Sequence, residues 1–226
     1  MAMELDRVVP FGRSLDEYVQ MFNLTERDLQ RSILGVGDGP ASFNAEGTKL
    51  GYQIQSIDPL YEFSAAQIRS RFEAVVCNII EQVRRTPNDW VWGYHGSPDG
   101  LKLNRERAIE LFCQDYELGK ATGRYTIAAL PELTLDRTYD LGLCSHLLFL
   151  YSDHLDEAFH FAGICAMLRV CREVRIFPLL TLNLQPSPYL SILLKRFSKM
   201  GYTCEIQKVA YELQRGGNKM LKITQP

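Results

Sequence analysis

Three familiar sequence patterns are missing from this chain of 226 residues. Its six cysteines include no CxxC pair, and no spacing of cysteine and histidine is typical of a zinc site, so we expect no metal centre. No apolar run reaches the ~20 residues that a membrane-spanning helix needs. The net charge of −2 indicates neither a nucleic-acid-binding surface nor a membrane-surface patch. These absences favour a reduced, cytoplasmic, globular protein.

The sequence does contain a regular alternation of strand-like and helix-like segments. Strands are predicted at residues 31–36, 53–57, 125–129, 139–144 and 173–178. The helices predicted between or after these strands lie at residues 41–50, 64–83, 104–118, 153–170 and 189–200. The fourth helix is expected to begin at Asp153 as its N-cap. Such alternation favours a parallel sheet that helices cover on both faces.

The end of the chain departs from this alternation. Two last strands, at residues 202–209 and 219–224, are joined by a short loop, so they must run antiparallel because a parallel pair needs a long crossover. The expected fold class is α/β: a three-layer α/β/α, doubly wound, mostly parallel seven-stranded sheet with an antiparallel last strand. We expect one domain over residues 1–226. Capping boxes predict N-terminal helices at about 14–30, and a helical and loop insertion at about 64–120 is a candidate lid.

A glycine-rich turn follows the first predicted strand. Gly35, Gly37 and Gly39 precede a predicted helix, and glycine lets the backbone approach a ligand closely. The helix directs free N–H groups toward that ligand. Asp58 follows Gly37 by 21 residues, at the end of the next strand, where an acid can accept both hydroxyls of a ribose. The pattern predicts a site for a nucleotide-type cofactor; the alternative is an ordinary tight turn followed by an Asp-Pro turn.

The identity of the cofactor follows from further residues. A dinucleotide-binding motif requires glycine where this chain has Ser42. Four segments instead resemble motifs of class I S-adenosylmethionine-dependent methyltransferases, which have a Rossmann-like fold. They resemble the glycine motif (37–41), the ribose-binding acid (56–59), the adenine-side loop (130–131) and the fourth-strand motif (139–146). The resemblance extends from about residue 31 to 224. It implies S-adenosylmethionine as cofactor and S-adenosylhomocysteine as product.

The resemblance also implies which residues bind the cofactor: Gly35, Gly37, Asp38, Gly39, Pro40, Asp58, Pro59, Leu130, Cys144 and Ser145. Two positions depart from the family pattern. Gly35 stands where an acid is common, and Ala128-Ala129 stands where an adenine-binding Asp is common. These departures motivate an alternative, a non-catalytic cofactor-binding or scaffold protein with the same fold. A nicotinamide-dependent oxidoreductase is a further alternative, which Ser42 disfavours.

Candidate catalytic residues follow the fourth predicted strand. His146 is a candidate base and Tyr151 a second catalytic candidate, although a histidine here could also be structural. Trp92, His95 and His154 are the candidate substrate-binding residues, the first two because an aromatic loop often forms a substrate wall. No motif names the methyl acceptor, for which we expect a small molecule. A homodimer is left open.

Overall fold

The computed structural model describes residues 9–225, so residues 1–8 and 226 of the expected domain lie outside the described part. In that part the strands are β1 (Ile33–Val36), β2 (Ile54–Ile57), β3 (Tyr125–Thr126), β4 (Tyr139–Ser145), β5 (Cys171–Phe177), β6 (Thr203–Lys208) and β7 (Lys219–Thr224). They form one sheet in the order β3-β2-β1-β4-β5-β7-β6. Strand β7 pairs antiparallel with both β5 and β6, and the other pairings are parallel. The predicted fold class is therefore confirmed.

The helices are α1 (Leu15–Met21), α2 (Glu26–Leu29), α3 (Phe43–Lys49), α4 (Ala65–Arg85), α5 (Pro98–Ala121), α6 (Glu157–Val170) and α7 (Leu190–Lys199). The predicted capping boxes at Ser14, Thr25 and Ser64 are present at the starts of α1, α2 and α4. Each pairs a hydroxyl with the N–H three residues later, which satisfies donors that a helix start leaves free. None of the helices within residues 9–225 is both long and apolar enough to cross a bilayer.

Three predicted boundaries are wrong. Helix α6 is capped by Asp156 and not by Asp153, because Asp153 lies in a turn that continues from the 3₁₀ turn at Phe149–Tyr151. Helix α5 begins at Pro98 rather than at residue 104, with Ser97 as its N-cap and proline in the first turn. Strand β3 ends at Thr126, because the chain then leaves the sheet and residues 128–130 line a cavity.

Two apolar cores lie on opposite faces of the sheet. Side chains of a strand alternate between faces, and accordingly Ile33 joins the first core whereas Leu34 joins the second. The first core takes in the apolar sides of α1, α4 and α5, and the second takes in those of α6 and α7. The 64–120 segment is therefore largely two long helices packed into the first core. Its role as a lid stays a prediction.

Candidate functional site

The sheet reverses its winding between β1 and β4, which are neighbours although β2 and β3 separate them in sequence. In open α/β sheets, ligands bind beyond the carboxyl ends of the strands at such a switch point. A cavity of about 420 Å³ lies at this place, and we call it the main cavity. Its volume is within the range of roughly 300–1,000 Å³ that is usual for small-molecule sites.

The glycine turn forms one wall of the main cavity. Gly37 and Gly39 have φ values of +68° and +55°, a conformation that glycine adopts at little cost. The Gly39 N–H donates a hydrogen bond of 2.8 Å to Asp58 Oδ2, which joins the turn to the end of β2. A Cβ atom at Gly39 would come within 4.0 Å only of that carboxylate. The turn therefore presents open backbone to the cavity beside an acid.

Asp58 lines the main cavity and also caps the 3₁₀ turn that follows β2. Its Oδ1 accepts the Leu60 N–H at 2.7 Å, and its Oδ2 accepts the Gly39 N–H. A carboxylate has about four acceptor positions, so these two bonds leave capacity for two further donors. Burial raises the pKa of Asp58 above its ordinary value. The residue fits the two hydroxyls of a ribose.

Asp38 lies under the same turn. Its carboxylate accepts the hydroxyl of Tyr18 at 2.7 Å and that of Ser56 at 2.6 Å. A Cβ atom built on Gly35 would overlap this carboxylate, so Asp38 fills the space that a side chain at position 35 would take. Burial raises the pKa of Asp38 to about 7, with Asp58 adding to the effect. The carboxylate that lies beside position 35 thus comes from Asp38, three residues later.

The end of β4 supplies Ser145 and His146 to the main cavity. His146 has φ +54°, an unusual value for a residue other than glycine, and its N–H donates to the Phe177 carbonyl at 2.7 Å. Its Nδ1 lies 2.8 Å from Ser145 Oγ. Burial lowers the pKa of His146 well below 6.5, and the positive charges of Arg13 and Arg105 lower it further. The imidazole is therefore neutral near pH 7, and the same burial and charges make it a weaker base than a free histidine.

A second, smaller cavity of about 70 Å³ adjoins the first, and we call it the side cavity. Both cavities are lined by Arg13 and His146. Tyr151 lines the side cavity, so the structure brings the two predicted catalytic residues together. Burial raises the pKa of Tyr151, which keeps the phenol protonated. Trp90 forms part of the apolar wall.

The structure places most of the predicted cofactor-binding residues on the main cavity: Gly37, Asp38, Gly39, Asp58, Pro59, Leu130 and Ser145. Gly35, Pro40 and Cys144 are not among its lining residues. Gly35 lies against Asp38, and the carbonyl of Pro40 packs closely on Gly12. Cys144 is fully buried, and burial raises the pKa of its thiol to about 12, so it contributes packing behind the cavity wall.

The three predicted substrate-binding residues lie off both cavities. His95 is buried, with Nε2 2.9 Å from the Tyr211 hydroxyl and Nδ1 2.9 Å from the Asn104 side chain. Trp92 packs against the first core, and His154 is exposed. Their substrate roles stay predictions, and their positions give them no support.

The sequence did not point to several lining residues. Leu60 and Phe63 follow Asp58, so their closeness in sequence to a predicted residue was the available signal. Phe11 and Arg13 lie before α1, outside every motif, and nothing in their local sequence marks them. They reach the cavities because the chain before α1 packs onto the glycine turn, where Gly12 contacts Pro40.

The strand order, the reversed β7 and the cavity at the β1–β4 switch point together define a Rossmann-like fold of the methyltransferase type. The chain belongs to the same family as the uncharacterized protein MJ0045 of Methanocaldococcus jannaschii. The two are 35% identical over 223 residues, which covers 98% of each chain. No family model matches the chain.

Two solved structures are similar to this chain, and the first of them supports the fold. The mitomycin 7-O-methyltransferase MmcR superposes with a TM-score of 0.50 at 10% identity over 94% of this chain, which spans about half (54%) of that larger protein. Magnesium protoporphyrin IX methyltransferase from Synechocystis PCC 6803, solved with bound SAM, gives 0.47 at 12% identity, covering 87% of this chain and 70% of that one. At these identities the likeness shows the fold alone.

Proposed function

We propose that this protein binds S-adenosylmethionine in the main cavity and transfers its methyl group to a small-molecule acceptor. The observation that carries the proposal is the convergence of the glycine turn, Asp58 and the end of β4 on one cavity at the switch point of the sheet. The methyltransferase fold of a solved structure supports it.

The lining residues suit the parts of such a cofactor. Asp58 has acceptor capacity left for the ribose hydroxyls. Leu60 and Leu130 offer apolar surface to the adenine ring. The amino-acid end of the cofactor would meet polar groups of Asp38 in the glycine turn and of Ser145 at the end of β4. Ala128 and Ala129 offer no acid to the adenine amino group, so shape and apolar contact must supply the recognition there.

The bound cofactor would supply a methyl group on a positively charged sulfonium. The protein must then hold the acceptor in line with that group, at about 3–3.5 Å, and exclude water. His146 faces both cavities as a neutral imidazole and can accept a hydrogen bond from a hydroxyl or amine of the acceptor, which would orient that group toward the methyl. Tyr151, kept protonated by burial, can donate a hydrogen bond that orients the acceptor.

The structure disfavours the dinucleotide alternative. A pyrophosphate would need the N-terminal end of α3. At that end the Ser42 hydroxyl donates to Glu46 Oε1 at 2.5 Å, and the same oxygen accepts the Leu15 N–H at 3.2 Å. A carboxylate therefore already lies beside the first turn, where it would repel phosphate.

Calorimetry with S-adenosylhomocysteine and with NAD tests the cofactor. We expect S-adenosylhomocysteine to bind well below millimolar concentration and NAD not to bind. Absence of S-adenosylhomocysteine binding at millimolar concentration would contradict the proposal, and NAD binding in its place would favour the oxidoreductase.

Incubation with S-adenosylmethionine carrying a labelled methyl group tests turnover. Fractionated metabolite pools serve as acceptors, and we expect label in a small molecule. Cofactor binding without transfer to any pool would favour the non-catalytic alternative.

A further inference from the structure

Arg13 is a cation that has no acidic partner among residues 9–225. Its Nη1 donates to the Phe11 carbonyl at 2.7 Å, and its Nε has no hydrogen-bond partner within residues 9–225. In that same part of the chain, no carboxylate lies within 4.0 Å of its guanidinium, although most other buried or half-buried arginines have one, as Arg105, Arg124 and Arg175 do. A charge removed from water without a partner is costly, so such a group is retained where a ligand supplies the counter-charge.

The acid that could neutralise Arg13 is already engaged. Glu17 binds Arg105 through two hydrogen bonds, of 2.7 and 2.6 Å, and also accepts the Tyr211 hydroxyl at 3.0 Å. A bidentate arginine–carboxylate pair is among the strongest of side-chain contacts. Within the described part of the chain, the charge of Arg13 is therefore not compensated. Burial, and after it the neighbouring Arg105, lower the pKa of Arg13 to about 10, so it remains positive near pH 7.

The position of Arg13 is fixed by its neighbour. A Cβ atom at Gly12 would overlap the Pro40 carbonyl, so glycine allows this segment to lie directly on the glycine turn. Arg13 thereby reaches the junction of the two cavities and lines both, together with His146, Phe11 and Val9. The charge is thus directed at the place where cofactor and acceptor would meet.

We propose that Arg13 binds a carboxylate at the junction of the two cavities. A guanidinium matches the two oxygens of a carboxylate in geometry as well as in charge. Two ligands could supply that group: the methionine end of the cofactor, or the methyl acceptor. The cofactor as source rests on the proposed function. The acceptor as source is argued from the shape and lining of the side cavity alone.

The side cavity limits the size of an acceptor's apolar part. Its walls are mostly apolar, among them Ile79, Val83, Leu101 and Leu182. Its volume of about 70 Å³ is roughly half that of a cavity that accommodates benzene, which is about 150 Å³. The acceptor that this cavity favours is therefore a carboxylate with a short or branched aliphatic group of a few carbon atoms.

The cofactor source is tested with Arg13→Gln by comparing two ligands in calorimetry. S-adenosylhomocysteine carries the carboxylate, whereas 5′-methylthioadenosine lacks the whole amino-acid end. If the cofactor is the source, the variant loses at least tenfold in affinity for the first and keeps its affinity for the second within twofold. An equal loss for both ligands would show a general disturbance of the cavity and would overturn the cofactor as the source of the carboxylate.

The acceptor source is tested by NMR titration with isovalerate and with its uncharged analogue 3-methylbutan-1-ol. If the acceptor is the source, isovalerate shifts the signals of side-cavity residues in the wild type, the alcohol binds at least tenfold more weakly, and Arg13→Gln removes the difference. This experiment needs no cofactor and is therefore independent of the proposed function. If only the proposed function fails, S-adenosylhomocysteine does not bind but isovalerate still does.

Arg27→Gln is the matched control, because Arg27 is an exposed arginine on α2 away from both cavities. It should change neither affinity. Arg13→Lys keeps the positive charge but lacks the planar guanidinium that binds both carboxylate oxygens, so it should retain part of the affinity for the carboxylate ligand. Urea unfolding should show Arg13→Gln to be at least as stable as the wild type, because an unpaired charge is removed. Unchanged affinity for both S-adenosylhomocysteine and isovalerate in folded Arg13→Gln would overturn the proposal.

Discussion

The carboxylate of Asp38 occupies the space beside Gly35 that a side chain at position 35 would need. The methyltransferase pattern that the sequence resembles has an acid at that position, and its absence, together with Ala128, motivates the non-catalytic alternative. In this chain the space directly beside the Gly35 backbone is filled by the Asp38 carboxylate, which Tyr18 and Ser56 hold by hydrogen bonds. A side chain at position 35 and the carboxylate at position 38 would need the same space, so glycine at 35 allows Asp38 to take its position.

Gly35→Ala should destabilise the fold. The new methyl group would displace the Asp38 carboxylate from its two hydroxyl donors, and overpacking of a buried site costs about 1–3 kcal/mol. Urea unfolding measures the loss. Gly93→Ala is the control, since a Cβ atom there meets nothing within 4 Å. Equal stability of the two variants would refute the pairing of Gly35 with Asp38.

Asp38→Asn should change how stability depends on pH. Burial raises the pKa of Asp38 from 3.8 to about 7, so between these values the folded state binds a proton that the unfolded state does not. Wild-type stability therefore falls as the pH rises through this window, by at most about 1.4 kcal/mol per unit, and the neutral Asn lacks this loss. The stability of the variant minus that of the wild type should increase from pH 5 to 7 and level off above 8. A difference that is independent of pH in urea unfolding would contradict the raised pKa.

Much of this site could be predicted because its parts are local in sequence. The glycine turn directly follows a buried strand, and Asp58 follows the next strand. Their spacing in the sequence was therefore enough to predict that they lie together at the same edge of the sheet. The cap of α6 could not be chosen in this way. Asp153 and Asp156 are both suitable capping residues, and the choice depends on the 3₁₀ turn at Phe149–Tyr151, whose side chains are buried by distant parts of the chain.

Arg13 and the Asp38–Gly35 pair show a second limit on what the sequence can predict about the site. Their roles depend on close approach between segments that sequence does not place side by side: the chain before α1 on the glycine turn, and Tyr18 under Asp38. His95 shows the converse. An aromatic loop indicated a substrate wall, but the loop folds inward, and His95 pairs with Tyr211 from the last part of the chain.

Asp58→Ala should weaken binding of S-adenosylhomocysteine at least tenfold. Each charge-assisted hydrogen bond to a ribose hydroxyl contributes about 1.5–3 kcal/mol, and about 1.4 kcal/mol corresponds to a factor of ten. The variant also loses the cap of the 3₁₀ turn, at about 1 kcal/mol of stability. Ser97→Ala, which removes the cap of α5 away from the cavities, controls for that loss and should bind normally in calorimetry. Unchanged affinity of Asp58→Ala would exclude the ribose role.

Glu17→Gln should be the most damaging of these substitutions. Glu17 and Arg105 are both fully buried, and Arg105 holds the pKa of Glu17 at about 2 although burial alone would raise it. Removing the negative charge leaves Arg105 buried and unpaired beside Arg13, which costs about 3–5 kcal/mol. Urea unfolding measures this loss, and Glu110→Gln is the control, because its pair with Arg69 is exposed to water and should contribute little to stability. The double variant Glu17→Gln/Arg105→Met removes both charges and should recover part of the stability. A loss in Glu17→Gln no larger than that in Glu110→Gln would show that this buried pair does not hold α1 to α5.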